Sequence, residues 1–557
     1  MPGVRVRVFG GMSTATGDRH LGPTLSSHAY NTELRDGALR AFREPKEVAR
    51  ADFDVATVVE LPSTSEACGA PLLLDYCATV TYPLDPGCAG MTKAIVWSEG
   101  PQPHRWYDPS DKSWHPVVVP APEVAPVAVR TTAGTLETED FRGPDQRAYT
   151  YTWVDRFNAE SPPAPPSAAV AAYDDEVWRV TTSATPPANA AAIRIYRTSS
   201  DLDPEPAQNP ASFQLVAEVP IADWSGTFFD GLRLVDMPYG TLLTTQNCPP
   251  PACLRDVRQL DSGAHVGFSG QDVWFSEVNE PHNWPGRYRI TLPFEIMNLV
   301  ANNDVVYVST RGNPFIIRTG VMVDEMTGDT VVRANPVMYD QFYPALGRRT
   351  MVTTAWGAVY VGREGLVGLQ PSLPARIVSR QLIDEDTWWK FMPNRLAWLN
   401  GRLYGSRAPH GPGLLMDVRG EPEGPKDLAD WVLIDLAATD IHAAPSGRLL
   451  LAKGQAAYEW DAGTDRKTYR WRSRRMVRDA LLGMRAGKVV GSFGAPVTFR
   501  LLLDDRVVFE RTVGHRRPFR IPFTSRGLEW QIEIEGSTTV HELHVASSMS
   551  ELTEAVE

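Results

Sequence analysis

The sequence predicts a mainly β fold: an irregular β-propeller-like body, a fibronectin-III-like β-sandwich inserted in it, and a C-terminal β-sandwich. Three observations predict this. Apolar and polar residues alternate with period two in many short runs, as where Val4, Val6 and Val8 alternate with Arg5 and Arg7. The 46 prolines and 43 glycines cut the chain into short pieces, and the 16 tryptophans favour strands over helices. Between about 255 and 470 a loose unit repeats: a short apolar strand, a Gly or Asn turn, then a strand containing an aromatic residue.

Taken in order, residues 53–61, 76–82 and 95–98 read as strands of an N-terminal β region, 1–115, that contributes to the body. A Pro- and Val-rich linker follows at 116–129. Residues 147–157 alternate aromatic and polar side chains and lead into Glu160-Ser-Pro-Pro-Ala-Pro-Pro-Ser, which no helix or central strand accommodates. With further strands at 176–182, 192–197, 213–219 and 227–230, the segment 116–250 reads as a sandwich of the fibronectin type III kind with its linkers.

The repeating phrases of the body, 251–475, are Gly270-Gln-Asp-Val-Trp-Phe, Asn302-Asn-Asp-Val-Val-Tyr, Trp356-Gly-Ala-Val-Tyr, Asn400-Gly-Arg-Leu-Tyr and Ser446-Gly-Arg-Leu-Leu. Their spacing of about 30–54 residues is that of propeller blades, with a plain stacked-sheet body as the alternative. The Asn-Gly and Ser-Gly pairs mark hairpin turns. Helices are expected at about 376–391 and at 473–486. The closing segment, 476–557, is β again: strands at 497–503 and 507–511 flank a turn at Asp504-Asp505, with Phe519, 528–534 and 540–546 completing a sandwich before an acidic tail.

The chemistry of sites is sparse. The net charge of -12 argues against a protein that grips nucleic acid through its phosphates, since cationic clusters occur only at Arg472–Arg475 and His515–Arg517. Five cysteines at low density make no disulfide framework. Cys248 and Cys253 flank a proline run at a spacing that suits no zinc knuckle, so they read as unlinked thiols. His541 and His544 lie an odd number of residues apart on a strand and so on opposite faces, where they share no metal. No H-E-x-x-H, phosphate-binding G-x-x-x-x-G-K-[ST] or G-x-S-x-G motif occurs, Gly483–Lys488 having the wrong spacing. Asp504-Asp505 reads as a hairpin turn and not as paired catalytic carboxylates, Asp384-Glu385-Asp386 as a solvated helix face, and Asp36-Gly37 and Asp85-Pro86-Gly87 as turns. No catalytic, cofactor-binding or metal site is expected. The opening residues carry no apolar signal core, and no run of about 18 apolar residues suggests a membrane span, so a chain made and kept in solution is expected.

Several phrases resemble the nozzle, or packaged-DNA stabilisation, proteins of short-tailed bacteriophages (podoviruses). Asn31-Thr-Glu-Leu-Arg-Asp-Gly-Ala-Leu-Arg before Pro45 is similar to the family's opening motif. Tyr149-Thr-Tyr-Thr-Trp-Val-Asp-Arg-Phe-Asn-Ala-Glu-Ser-Pro-Pro, with Ile193-Arg-Ile-Tyr-Arg-Thr downstream, resembles its fibronectin-like insertion. Val273-Trp-Phe-Ser-Glu-Val-Asn-Glu-Pro-His-Asn-Trp-Pro and Gly362-Arg-Glu-Gly-Leu-Val-Gly-Leu resemble phrases of its body, and Phe519-Arg-Ile-Pro, Trp530-Gln-Ile-Glu-Ile-Glu-Gly and Val545-Ala-Ser-Ser-Met-Ser-Glu-Leu its closing sandwich. The matches span most of the chain in consistent order. The resemblance implies a structural virion protein without enzymatic activity or cofactor. It implies a homo-oligomeric ring of six copies below the portal and adaptor, next to tail fibre or tip proteins, around a channel through which genomic DNA passes without sequence-specific binding and without membrane insertion. An acidic chain suits such a passage, because the duplex must slide. Two other classes stay open: a receptor- or glycan-binding tail protein, and a glycan hydrolase on a propeller scaffold, although the S-x-D-x-G-x-x-W boxes of sialidases are not found.

Overall fold

The computed structural model describes residues 4–553 apart from 35, 62–71, 76–77, 83–93, 100–102, 135–143, 199–212, 234–242, 244–246, 324–329, 410, 419–427 and 523–525. Cys68, Cys77, Cys88 and the turn at Asp85-Pro86-Gly87 lie outside the described residues. Within them the chain is mainly β, built of many small antiparallel sheets.

Six sheets share one pattern, in which the chain runs outward strand by strand. The first takes Ala78–Thr81, Ala94–Ser98, Arg105–Asp108 and Ser113–Pro116. The second begins at Arg255–Gln259, the third at Ile296–Asn302, and the fourth at Met351–Thr354. The fifth, beginning at Arg395–Leu399, continues through Leu428–Ile434 into Ser26–Tyr30 and on to Tyr469–Ser473. The sixth begins at Asp440–Ala443, and its outer strand is Lys46–Arg50, which pairs with Ala456–Glu459 from more than 400 residues away. The first strand of each of the six lies beside the first strand of the next, and Thr57–Glu60 packs beside the sixth.

The turn chemistry explains the recurrence. Asn303, Asn400 with Gly401, and Gly447 sit at positive φ between the first and second strands of the third, fifth and sixth sheets. Ala355 and Trp356 occupy the same place in the fourth, and Gly357, at positive φ, opens its second strand. Asn and Gly reach this left-handed region at least steric cost. The Gly270 phrase falls one hairpin later, between the second and third strands of its sheet. Apolar side chains fill the spaces between neighbouring sheets: Phe268, Phe275, Leu299 and Ile317 between the second and third, Tyr307, Met351, Tyr360 and Leu369 between the third and fourth.

Two three-stranded sheets form the region of residues 127–230: Val127–Thr132, Val177–Thr181 and Thr227–Asp230 against Tyr149–Asp155, Ala190–Thr198 and Phe213–Pro220. Tyr149, Tyr151, Trp153, Trp178, Ile193 and Ile195 are the core between them. Near the C-terminus, Val4–Val6, Thr539–Ala546, Ala486–Ser492 and Phe519–Arg520 make a sheet whose apolar residues share a core with those of Val497–Leu503 and Gly527–Gly536.

Two helix expectations are corrected. The segment 376–391 is helical only over Glu385–Phe391, where the Asp384 side chain accepts a hydrogen bond from the Thr387 N–H at 2.9 Å. Its first residues instead end the strand Leu373–Ile377, because the edge of Gly365–Gln370 offers a ladder. Residues 473–486 hold no helix: Met476–Leu482 is a strand paired to Gly527–Gly536, with Met476 opposite Trp530. A tertiary partner overrides a local helical pattern here. Among the described residues no helix is long and apolar enough to cross a membrane.

Candidate functional site

The first strands of the six sheets converge on a cavity of about 340 Å³. Backbone ladders do not join these strands to one another; side chains reach across instead. Arg349, at positive φ just before Met351–Thr354, donates to Thr57 Oγ1 at 2.8 Å and to the Ala78 carbonyl at 3.0 Å. Its guanidinium also lies 3.5 Å from Glu99 Oε1 and 3.8 Å from Asp440 Oδ1. Asp440 Oδ2 accepts from the Val58 N–H at 3.2 Å, and Asp256 Oδ2 from the Leu299 N–H at 3.1 Å. Thr57 Oγ1 accepts from Ala78 N–H and Thr79 Oγ1 from Val257 N–H, each at 3.2 Å. Each bond ties one sheet's first strand to a neighbouring segment, so the polar groups at the centre act as rivets. A buried backbone N–H left without an acceptor is costly, and these acceptors satisfy it.

Burial governs the electrostatics. It pushes the Asp256 carboxyl up to about 6, with the Glu99 carboxylate adding to the rise. Burial likewise raises Asp440, against the pull of Arg349. It holds the His442 imidazole down to about 4, and among the described residues His442 Nε2 meets no hydrogen-bond partner. Chemically, the centre holds two buried carboxyl groups, both raised above the ordinary carboxylate range, beside arginines. Among the described residues no group of His, Cys, Asp and Glu is placed to hold a metal ion.

The residues weighed in the sequence fall elsewhere. Asp504 and Asp505 both adopt positive φ in the turn between Val497–Leu503 and Arg506–Val513, and Asp505 pairs with Arg475 at 2.7 Å. His541 is exposed whereas His544 is buried and hydrogen-bonded to Glu542 at 3.0 Å, so the two do lie on opposite faces. Cys248 and Cys253 are free thiols. Sequence reasoning missed Arg349, Asp256 and Asp440 altogether. No motif frames them, and only the closing of sheet against sheet brings them together.

No family model matches the chain, and no curated protein matches it. Among solved structures, an exo-β-1,3-galactanase of Phanerochaete chrysosporium aligns at 10% identity over 72% of this chain and 100% of its own, with a TM-score of 0.19. PorZ, a surface component of the type-IX secretion system of Porphyromonas gingivalis, aligns at 9% identity over 77% of this chain and 69% of its own, with a TM-score of 0.25. Likeness at this level carries no argument about activity, and the mainly β architecture stands on the strand pairing itself.

Proposed function

We propose that this chain is the nozzle subunit of a short-tailed bacteriophage tail, a structural protein that forms a ring around the DNA-ejection channel below the portal and adaptor. In this reading the six sheets are blades of an irregular β-propeller, residues 127–230 a fibronectin-III-like insertion, and the C-terminal pair of sheets a second sandwich. The observation that carries it is the use made of the central polar groups. Arg349, Asp440, Asp256, Thr57 and Thr79 are engaged in riveting one sheet to the next. A block held rigid in this way suits a wall; the DNA path then lies between copies, not through the middle of one. The ordered series of nozzle-like phrases supports the same reading, and the net charge of -12 suits a conduit that must not hold its cargo.

The ring of six, the adaptor above, the fibre or tip proteins beside it and the virion location belong to this proposal. Electron microscopy of the assembled virion with the chain labelled tests it. A six-fold collar beneath the portal is expected, and absence of the label from the particle would refute it. A three-fold, peripheral position would favour a receptor- or glycan-binding tail protein.

A hydrolase reading has one observation of its own. Asp256, raised to about 6 by burial and by the nearby Glu99 carboxylate, lines the central cavity and keeps its proton to a higher pH than an ordinary carboxyl, a property that the general acid of glycoside hydrolysis needs. Release of reducing sugar from host-surface polysaccharide by the wild-type chain, abolished by Asp256→Asn, would establish that reading over the passive wall.

A further inference from the structure

The cationic run at His515–Arg517 takes no part in the central site, and the fold enlarges it. Arg506–Val513 and Phe519–Arg520 are the outermost strands of the two C-terminal sheets, and residues 514–518 join them. Both sheets therefore end at one edge, where Arg511, His515, Arg516, Arg517 and Arg520 are all exposed. Two contacts fix the geometry. The Arg511 guanidinium lies 5.1 Å from the centre of the Phe519 ring, reaching from one outermost strand to the other. Arg516 Nε donates to the Gly491 carbonyl at 2.8 Å, which lays the segment from Arg516 to Arg520 along Ala486–Ser492. From Arg511 through Leu528 the sequence holds five arginines and no Asp or Glu, in a chain whose net charge is -12. Glu510, the acid next before this stretch, is bound to Arg500 at 2.8 Å. Among the described residues no carboxylate pairs with Arg511, Arg516, Arg517 or Arg520.

We propose that this edge is a phosphate-contact surface for duplex DNA, touching the backbone and reading no base. Sheet edges carry charge to repel stray strands, but that purpose needs no single sign. A protein partner would want apolar anchors, since the cores of such interfaces are depleted of charge. Among the described residues no large apolar side chain is exposed between Val507 and Leu528. Surfaces that meet DNA are instead polar and strongly positive, and the planar arginine fork matches phosphate oxygens in pairs. The choice of DNA among polyanions rests on the nozzle reading, in which the genome is the polyanion that passes. Each phosphate neutralised releases counterions, so four arginines give log K a slope against log salt of about -3.6. Contacts so few hold a duplex weakly and let it slide.

The test is the fluorescence anisotropy of a labelled duplex of about 30 base pairs, titrated with the full chain at salt from about 50 to 200 mM. Duplexes of unrelated sequence are expected to bind alike, with affinity falling roughly a hundredfold across that range. The variant Arg517→Gln with Arg520→Gln removes two guanidinium groups that make no hydrogen bond among the described residues, so its thermal midpoint is expected to match the wild type. Its salt slope is expected to fall to about half. Should it unfold, Arg517→Gln alone is expected to lower the slope by about one. Arg363→Gln with Arg380→Gln, at exposed arginines of the body, is expected to leave binding unchanged. Absence of binding by the wild type at the lowest salt, an unchanged slope in the edge variants, an equal loss in the body variant, or tighter binding of polyglutamate than of duplex would each overturn the inference. A collar in the virion images without DNA binding would sink this surface alone. DNA binding by a chain absent from the particle would sink the nozzle reading alone.

Discussion

The centre of the six sheets and the interior of residues 127–230 both join sheet to sheet through an arginine and an aspartate, yet they do so in opposite ways. In the second region Arg197 and Asp230 are 1% and 0% exposed and 2.7 Å apart. Tyr149 donates to the same carboxylate oxygen at 2.7 Å and the Leu232 N–H to the other at 3.1 Å, while Arg197 also donates to the Leu232 carbonyl at 3.0 Å. At the centre, Arg349 spreads over at least four partners, its contact with Asp440 is 3.8 Å, and it borders a cavity. A desolvated pair is an all-or-nothing device, because losing one partner strands a charge in a dry core. A distributed one degrades by steps. The contrast teaches where each region is brittle.

Asp230→Ala is expected to have the largest effect, about 3–5 kcal/mol, because it removes the buried carboxylate that Arg197, Tyr149 and the Leu232 N–H share. Denaturant unfolding followed by the fluorescence of the Trp153 and Trp178 environment measures it, and a loss below about 1 kcal/mol would erase the contrast. Arg349→Met is expected to cost about 2–3 kcal/mol, since it removes hydrogen bonds from a charged donor but leaves the cavity able to admit water. Its signature is faster amide exchange along Thr57–Glu60 and Ala78–Thr81 with the 127–230 region unchanged.

Acid sharpens the comparison by acting on the junctions. Burial holds His265 down to about 3 and His104, His282 and His442 down to about 4. The unfolded chain binds those protons near 6.5 and the folded chain only well below it. Stability is therefore full above about pH 6.5 and is lost as pH falls toward the folded values, by on the order of 1.4 kcal/mol per pH unit for each histidine. Asp256 works in the other sense: raised to about 6, it stabilises at low pH and withdraws that contribution as pH rises through 6. Unfolding midpoints between pH 7.5 and 4.5 are expected to fall, with a shallower slope in His265→Gln and a steeper one in Asp256→Asn. The smallest effect is assigned to Tyr149→Phe, about 1 kcal/mol, since Asp230 keeps Arg197 and the Leu232 N–H when the phenol is lost.

Much of the strand pattern was legible because it is local. The aromatic alternation at 147–157 became Tyr149–Asp155, and the runs at 227–230 and 497–503 became strands with the expected bounds. Asn400-Gly401 and Ser446-Gly447 marked hairpins because left-handed turns select those residues. The failures share the opposite cause. Met476–Leu482 carries a helical-looking run, yet the edge of Gly527–Gly536 claimed it. Lys46–Arg50 completes a sheet whose other strands lie past residue 440, and no local period announces a partner so far away. Arg349 is one arginine among many until the sheets close around it. The central site was illegible for the same reason: its members come from segments that only the fold brings together.

That remote pairing of Lys46–Arg50 with Ala456–Glu459 sets a timetable for biosynthesis. At roughly 5–20 residues per second, a ribosome takes about 20–80 s to deliver the second strand after the first. For that interval the early edge stands open in a crowded cell, where an unpaired strand invites pairing with other chains. Its charged sequence, Lys-Glu-Val-Ala-Arg, is what an edge obliged to wait needs in order to stay out of aggregates.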